Sequence, residues 1–532
     1  MKSGTHSKPV FDVLVVGAGP AGLLLACELL SRGVRVRIVD RAAKPMHVPR
    51  ALSIYPRAMD ILQDQGLRGA VHDVSSTIRT LSYFSDRSHL ASFRVPQEHA
   101  ARVLPQYETE RILTERLETL GGKVERGVRL LCLENVDYTG ALDSAPAVTA
   151  VMEGPDGIIE RATAPFVVGA DGAGSAVRGQ LGIGFQGSTY GLEFALVDAR
   201  IDGSLDPEEI LYYQGAAGTL AVVPQPDGVF RFLSVLPQGS RTAGVDMMQD
   251  IVDERGPRGV RIAEPVWTTV FRVHARLASD FQLGRVFLIG DAAHVHSPAG
   301  GQGMNNGLQD AHNLGWKLAS VIQGSSPSSL LSTYGPERME ATRLSVRDTD
   351  LQTKAWMVKG RAKVWARDAG FRLADRTGAV GRFYAPVLAG RRQRYLPERA
   401  SQQPSGWSLC QQLAKLPGGV GVGSLFPREH ALAHGLAGVA GDRMTWTLAV
   451  TDGTRGPWPW RTEIDHIAAR WPQVRVVTLP GRVTAAAVGC RRSGYCLLRP
   501  DGYIAAHGHE DDLGRLEQEL GHHLVAGRRA AS

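Results

Sequence analysis

Three short stretches carry residue types that can hold a phosphate-bearing ligand. In the first, Gly17, Gly19 and Gly22 stand in GAGPAG, with Ala21 inside the same turn. The first glycine permits a tight turn and the second lets backbone approach a pyrophosphate. The third lets a helix pack closely on a strand. A helix that starts there offers unpaired N–H groups and the positive end of its dipole to phosphate. The elements that must position this turn are legible on both sides. The apolar run Val13 to Val16 reads as a buried strand, and a leucine-rich helical pattern follows the glycines. A β-branched run from Val34 to Val39 then ends in Asp40 and Arg41. This is a βαβ unit with a dinucleotide-binding fingerprint. Asp40 stands where a carboxylate accepts hydrogen bonds from an adenosine ribose, which favours a free 2′-hydroxyl.

The second stretch is PFVVGADGAGSAVR, residues 165–178. A buried strand from Phe166 to Val168 runs into Gly169-Ala-Asp171-Gly172, and a helix begins at Ser175. Asp171 therefore sits at a strand's carboxyl end, where an α/β sheet presents its ligand-binding groups. The third stretch is a buried strand ending in Gly290-Asp291, then a loop carrying Pro298, Gly301, Met304 and Asn305, then a helix. Asp291 is placed for a ribityl chain. The loop's N–H groups at a helix start can stabilise negative charge developing on a reduced isoalloxazine. His294 and His296 have no acidic or cysteine partner at metal spacing, so packing roles are expected of them and no metal is assigned.

Between these stretches, Arg50 and Arg57 flank the segment that follows the first unit. They could grip a diphosphate or a flavin ring, or be solvated arginines on a helix and its approach. Gln106 precedes a helical pattern over 109–120. Residues 183–280 alternate and are punctuated by Pro and Gly, which predicts an antiparallel sheet inserted into the first fold. Helix formers dominate residues 333–389, and 399–405 reads as a linker. The remainder has strands at 444–450, 474–479 and 496–499, a turn at 500–502 and an amphipathic helix at 511–524.

At 532 residues the chain needs two or three cores. The expected division is 1–182 and 281–400 for the dinucleotide fold with its helical connection, 183–280 for the substrate sheet, and 406–532 for a C-terminal α/β unit. The net charge of +7 is spread as isolated arginines, which argues against nucleic-acid binding. No apolar run approaches the roughly 20 residues needed to span a bilayer. Five scattered cysteines without CxxC read as reduced thiols in a cytoplasmic protein. The first nine residues look like a short lead-in, and the WPW at 458–460 like a packing cluster.

Taken in this order across residues 12–312, the three stretches resemble the signature of single-component FAD-dependent aromatic hydroxylases, the para-hydroxybenzoate hydroxylase fold. LLRPDGYIAAHG at 497–508 is similar to the thioredoxin-like tail of the phenol- and polyketide-hydroxylase branches, without that fold's cysteine pair. The resemblance implies α/β architecture: a Rossmann-like FAD-binding domain, an inserted antiparallel substrate sheet and a thioredoxin-like C-terminal domain. It implies FAD held by Gly17, Gly19, Gly22, Asp40, Arg41, Arg50, Arg57, Gln106, Asp171, Asp291, Gly301, Met304 and Asn305. NADPH or NADH would dock without a Rossmann unit of its own, and O2 would be the oxidant. The implied reaction is flavin reduction, formation of a C4a-hydroperoxide and oxygen transfer to an aromatic ring, as in polyketide biosynthesis. The partner is then a small aromatic molecule, with a homodimer as the association the resemblance allows. A polycyclic phenolic substrate is the first expectation and a simple phenol the second. The base that deprotonates it is not identified, and Tyr212, Tyr213 and Arg231 are candidates. Epoxidation or Baeyer–Villiger chemistry on the same scaffold, an oxygen-independent reductase, and a flavin-binding protein without catalysis are the alternatives. The WxWxIP motif of flavin halogenases is absent.

Overall fold

The computed structural model of the protein describes residues 11–139, 142–215, 218–236, 242–296, 300–356, 358, 360–378, 389–391, 393–395, 421–436, 443–451, 461–479, 494–509 and 512–527. Pro298, the lead-in, the 399–405 linker, the WPW cluster, Cys410 and Cys490 lie outside the described residues. Among the described residues no helix is long and apolar enough to cross a membrane. Among them, too, no group of His, Cys, Asp or Glu could hold a metal ion.

The glycine turn belongs to a six-stranded sheet in the order 282–283, 286–288, 166–169, 13–16, 36–40, 124–126. The last five of these run parallel. Val13–Val16, Phe166–Gly169 and Val286–Leu288 are buried at every position, which is why their sequences read as unbroken apolar runs. The helix Pro20–Leu30 packs against the helices Gln106–Thr119 and Gly303–Ile322. Parallel strands share one carboxyl edge. Gly17, Asp40, Asp171 and Asp291 are therefore brought to the same edge by topology, although up to about 270 residues separate them in the chain.

An eight-stranded sheet runs in the order 294–295, 261–278, 185–202, 229–235, 218–224, 209–215, 80–85, 88–94. Two features depart from the sequence reading. Residues 80–94, expected in the dinucleotide fold, supply the last two strands at one end of this sheet, and Thr80–Ser85 pairs parallel with Glu209–Gly215. One face of this sheet packs on the helix Val245–Arg255 through Val197, Leu211, Phe232, Met248 and Val252. The other faces the dinucleotide fold.

The C-terminal unit has a four-stranded sheet in the order 474–479, 446–451, 494–498, 504–509. Its first pair is parallel and the others antiparallel. Helices Arg461–Ala468 and Leu513–His523 complete a thioredoxin-like arrangement. It docks on the helix Gly303–Ile322, where Trp316 meets Trp446 edge-on at 5.9 Å. Trp316 Nε1 also donates to Asp501 Oδ2 at 3.1 Å. Around that contact Lys317, Glu337, Arg499 and Asp501 form a buried ionic cluster.

Candidate functional site

The glycine turn separates two kinds of requirement. A Cβ on Gly17, whose φ is +109°, would lie 2.3 Å from the Ala170 carbonyl oxygen. A Cβ on Gly22 would lie 2.0 Å from the Gly17 carbonyl oxygen. Both glycines are dictated by packing within the protein. A Cβ on Gly19 would meet nothing within 4 Å among the described residues, so packing within them does not require its bareness and the space in front of it is open. This is the cradle a pyrophosphate fits, at the N-terminus of Pro20–Leu30, where Pro20 removes one N–H that has no helical partner. Ala21 is a packing residue between Gly290 and Gly307, and it draws the first and third stretches together.

Asp40 accepts the Ala18 N–H on Oδ2 and the Ala42 N–H on Oδ1, each at 2.7 Å. Its carboxylate is thereby fixed beside the glycine turn, while Arg41 is exposed. Asp171 is committed differently from expectation. It accepts from Ser175 Oγ at 2.5 Å and from the N–H groups of Ala176 and Val177, and so caps the short helix Ala176–Gln180. Asp291 is open to water yet closely ringed by protein. Burial pushes its carboxyl up, against the charges of His294 and Arg50. A group that is both accessible and desolvated lines a concave site.

The segment after Arg50 is stapled to the glycine-rich loop. Asn305 Oδ1 accepts the Tyr55 N–H at 2.8 Å, and Asn305 Nδ2 donates to Ser53 O at 2.8 Å and Gly301 O at 2.9 Å. Tyr55 donates its hydroxyl to Gly300 O at 2.7 Å. Gly301 has a φ of +60°, and Met304 packs at the margin of the main core. Gln106 Oε1 accepts the Ala51 N–H at 3.2 Å, holding the other end of the same segment.

Several expectations need correction. Arg57 does not face this edge. It is buried against the C-terminal unit, donates to Asp501 O at 3.0 Å and lies over the Tyr503 ring. Sequence spacing could not show this, because the contact spans 444 positions. Arg231 is no base: it is paired with Asp198 and also donates to the carbonyls of Pro49 and Arg50. Tyr212 stacks on Tyr83 and Tyr213 on Phe84, and burial pushes each phenol up to about 12. Neither is poised to take a proton near neutral pH.

His294 and His296 belong to a buried chain. His294 Nε2 meets Asp310 Oδ2 at 2.6 Å, and His294 Nδ1 meets His296 Nε2 at 3.1 Å. Asp310 also accepts the Gly290 N–H at 2.9 Å and Arg338 Nε at 2.7 Å. Arg338 goes on to the Tyr395 hydroxyl at 2.7 Å, and the Tyr395 ring stacks on Tyr503. Burial and the His294 charge push His296 down to about 3, so its ring is neutral. The strand end before Asp291 is thus tied to the C-terminal unit by a run of polar contacts that ends in an aromatic stack.

The open face of the eight-stranded sheet completes the site. Registered cross-strand pairs set its residues in rows. One row runs Tyr83, Tyr212, Ala221, Leu233, Leu196, Thr269. The next, nearer the Arg50 segment, includes Val223, Arg231, Asp198 and Trp267. Leu233, Val223, Val235, Phe271 and Trp267 are half-buried, a wall of apolar and aromatic groups facing the dinucleotide edge. The helix Arg361–Arg376 covers one end through Phe371 on Tyr83. This wall escaped the sequence reading because its members come from three strands, and only the alternation was visible.

A parallel sheet with a glycine cradle, an acid on the second strand and a strand-ending Gly-Asp before a glycine-rich loop defines an FAD-binding flavoprotein. Residues 10–349 match the family model described as FAD binding domain. The chain is 32% identical over 547 residues to 6-methylpretetramide 4-monooxygenase of Streptomyces rimosus, covering 96% of this chain and 93% of that one. It is 33% identical over 362 residues to pentachlorophenol 4-monooxygenase of Sphingobium chlorophenolicum, covering 66% of this chain and 65% of that one. The structure of anhydrotetracycline hydroxylase from Streptomyces rimosus superposes with a TM-score of 0.73 at 25% identity, over 97% of this chain and 99% of that one. The chain belongs to the family of FAD-dependent aromatic monooxygenases, which take electrons from NAD(P)H and oxygen from O2.

Proposed function

We propose that this enzyme hydroxylates a polycyclic, phenolic polyketide-type substrate held between the carboxyl edge of the parallel sheet and the half-buried apolar wall. The wall carries the reading: it spans the four neighbouring strands from 218–224 to 261–278, more surface than a single ring uses. Its likeness along almost the whole chain to 6-methylpretetramide 4-monooxygenase supports the same substrate class.

In this reading Gly17, Gly19 and Gly22 hold the FAD pyrophosphate, and Asp40 with Arg41 the adenosine end. Arg50 and Gln106 flank the middle of the cofactor, Asp291 holds ribityl hydroxyls, and Gly301, Met304 and Asn305 border the ring system. Asp171 acts through the helix it caps. Bound FAD, reduced by NAD(P)H, supplies the activated oxygen that an electron-rich ring receives. The chain's own work is to exclude water with the apolar wall, to orient the ring against it, and to keep Asp291 and Arg50 within electrostatic reach of each other.

The test is anaerobic reduction of the purified yellow protein by NADPH, followed by mixing with oxygenated buffer, with anhydrotetracycline or phenol present. Faster reduction with anhydrotetracycline, and a product heavier by one oxygen atom, is expected. Hydroxylation of phenol alone would replace this reading with the simple-phenol one.

A further inference from the structure

Gln214 is 1% exposed, and neither its Oε1 nor its Nε2 has a hydrogen-bond partner among the described residues. A buried amide with both atoms unpaired is rare, because each lost its water on folding and recovered nothing. Its place in the fold gives this a purpose. Gln214 shares the open face of the eight-stranded sheet with Tyr212, two residues earlier on the same strand. Its cross-strand neighbours are Ser85 on one side and Thr219 on the other. Val235, Phe194 and Phe271 continue the row. Ser85 and Thr219 are buried as well. The apolar wall therefore ends in three adjacent polar side chains, of which the central one is unsatisfied. Tyr212 and Val235 on the same face are half-buried, so the amide lies one side chain behind the open wall. Rotation about the side-chain bonds of glutamine brings it forward.

We propose that Gln214 reads a polar edge on the substrate, donating to and accepting from a keto–enol or carboxamide group at the end remote from the ring that is hydroxylated. The inference rests on the polycyclic reading above. Gln214 lies two strands across and four residues along from Arg231, which holds the Arg50 segment. At standard strand spacing that is roughly 16 Å. A single substituted ring is too short to touch both ends, and several fused rings are not. Gln214 thus rewards length and a distal polar group together. An amide suits such an edge because it offers one acceptor and a donor side by side.

The experiment uses the FAD-loaded enzyme and three probes: anhydrotetracycline, which has a carboxamide and keto–enol edge; 2-hydroxyanthracene, which has fused rings and no such edge; and phenol. Dissociation constants come from the change in flavin absorbance, alongside KM, kcat and Tm. Gln214→Leu is expected to weaken anhydrotetracycline by about tenfold or more, chiefly in KM. It should leave 2-hydroxyanthracene unchanged or bound more tightly. Gln214→Asn, which keeps the amide but draws it back, should weaken anhydrotetracycline without lowering Tm. Equal weakening of all probes, or no change for anhydrotetracycline in either variant, would overturn the assignment. Wild-type enzyme that binds phenol and neither fused-ring probe would instead show that the substrate class, and with it this inference, is wrong.

Discussion

Arg231 and Asp198 lie directly opposite each other on neighbouring strands, joined by two contacts of 2.8 Å, and the same guanidinium reaches the carbonyls of Pro49 and Arg50. One buried ion pair thus fastens the substrate wall to the segment that carries Arg50. Arg231→Leu should cost about 3–5 kcal/mol, because it leaves Asp198 buried and unpaired. The double variant Arg231→Leu/Asp198→Leu should recover most of the Tm while still binding FAD more weakly, since the carbonyl contacts are gone. Thermal melts and FAD titration of the apoprotein separate the two effects.

Asp40 is held by two backbone N–H groups beside the cradle. Replacing it with alanine should weaken FAD retention by about 10- to 100-fold, the worth of a hydrogen bond to a charged group. Flavin content after gel filtration measures this. A fully yellow Asp40→Ala protein would place the adenosine elsewhere.

Arg50 and Arg57 should now part company. Arg57→Ala is expected to loosen the C-terminal unit and lower Tm with flavin content retained. Arg50→Ala should lower flavin affinity and leave Tm nearly unchanged. Limited proteolysis together with flavin absorbance distinguishes the pair.

Acid stability follows from four buried carboxylates. Burial would raise Glu28, and Arg32 and His312 more than reverse it. Glu337 is likewise held low by Arg499 and Lys317, Asp310 by His294 and Arg338, and Asp501 by Arg499. In each case the unfolded chain binds the proton first, so this stability is complete above about pH 5. It is lost as pH falls through the unfolded values toward the depressed folded ones. Asp291, raised by burial, works in the opposite sense. A plot of Tm against pH should fall steeply below about pH 5, and Glu337→Gln should lower and flatten it.

The parallel sheet and its glycine turn were legible because both faces of its strands are covered and the turn needs glycine for local steric reasons. The placement of Asp40, Asp291 and Asn305 at element ends was legible because the periodicity of those elements is strong. Asp171 was found but its partners were not, since Ser175 at four positions' distance gives no sign of which oxygen it will occupy. Arg57 and Arg231 were opaque for one reason: their roles are set by contacts between units far apart in the chain. The tail's ionic cluster was hidden in the same way, as Glu337 and Arg499 are 162 positions apart.

Glu337 and Arg338 are consecutive on one helix, yet they serve opposite directions. Glu337 binds Lys317 and the tail's Arg499, while Arg338 binds the Asp310 that holds Gly290. A chimaera that exchanges the tail between relatives therefore has to carry a matching pair of residues in the recipient helix. Otherwise the graft would transmit its misfit directly to the strand end that bears Asp291. In this chain, exchange of the tail is expected to succeed only where the donor supplies residues that match Glu337 and Lys317.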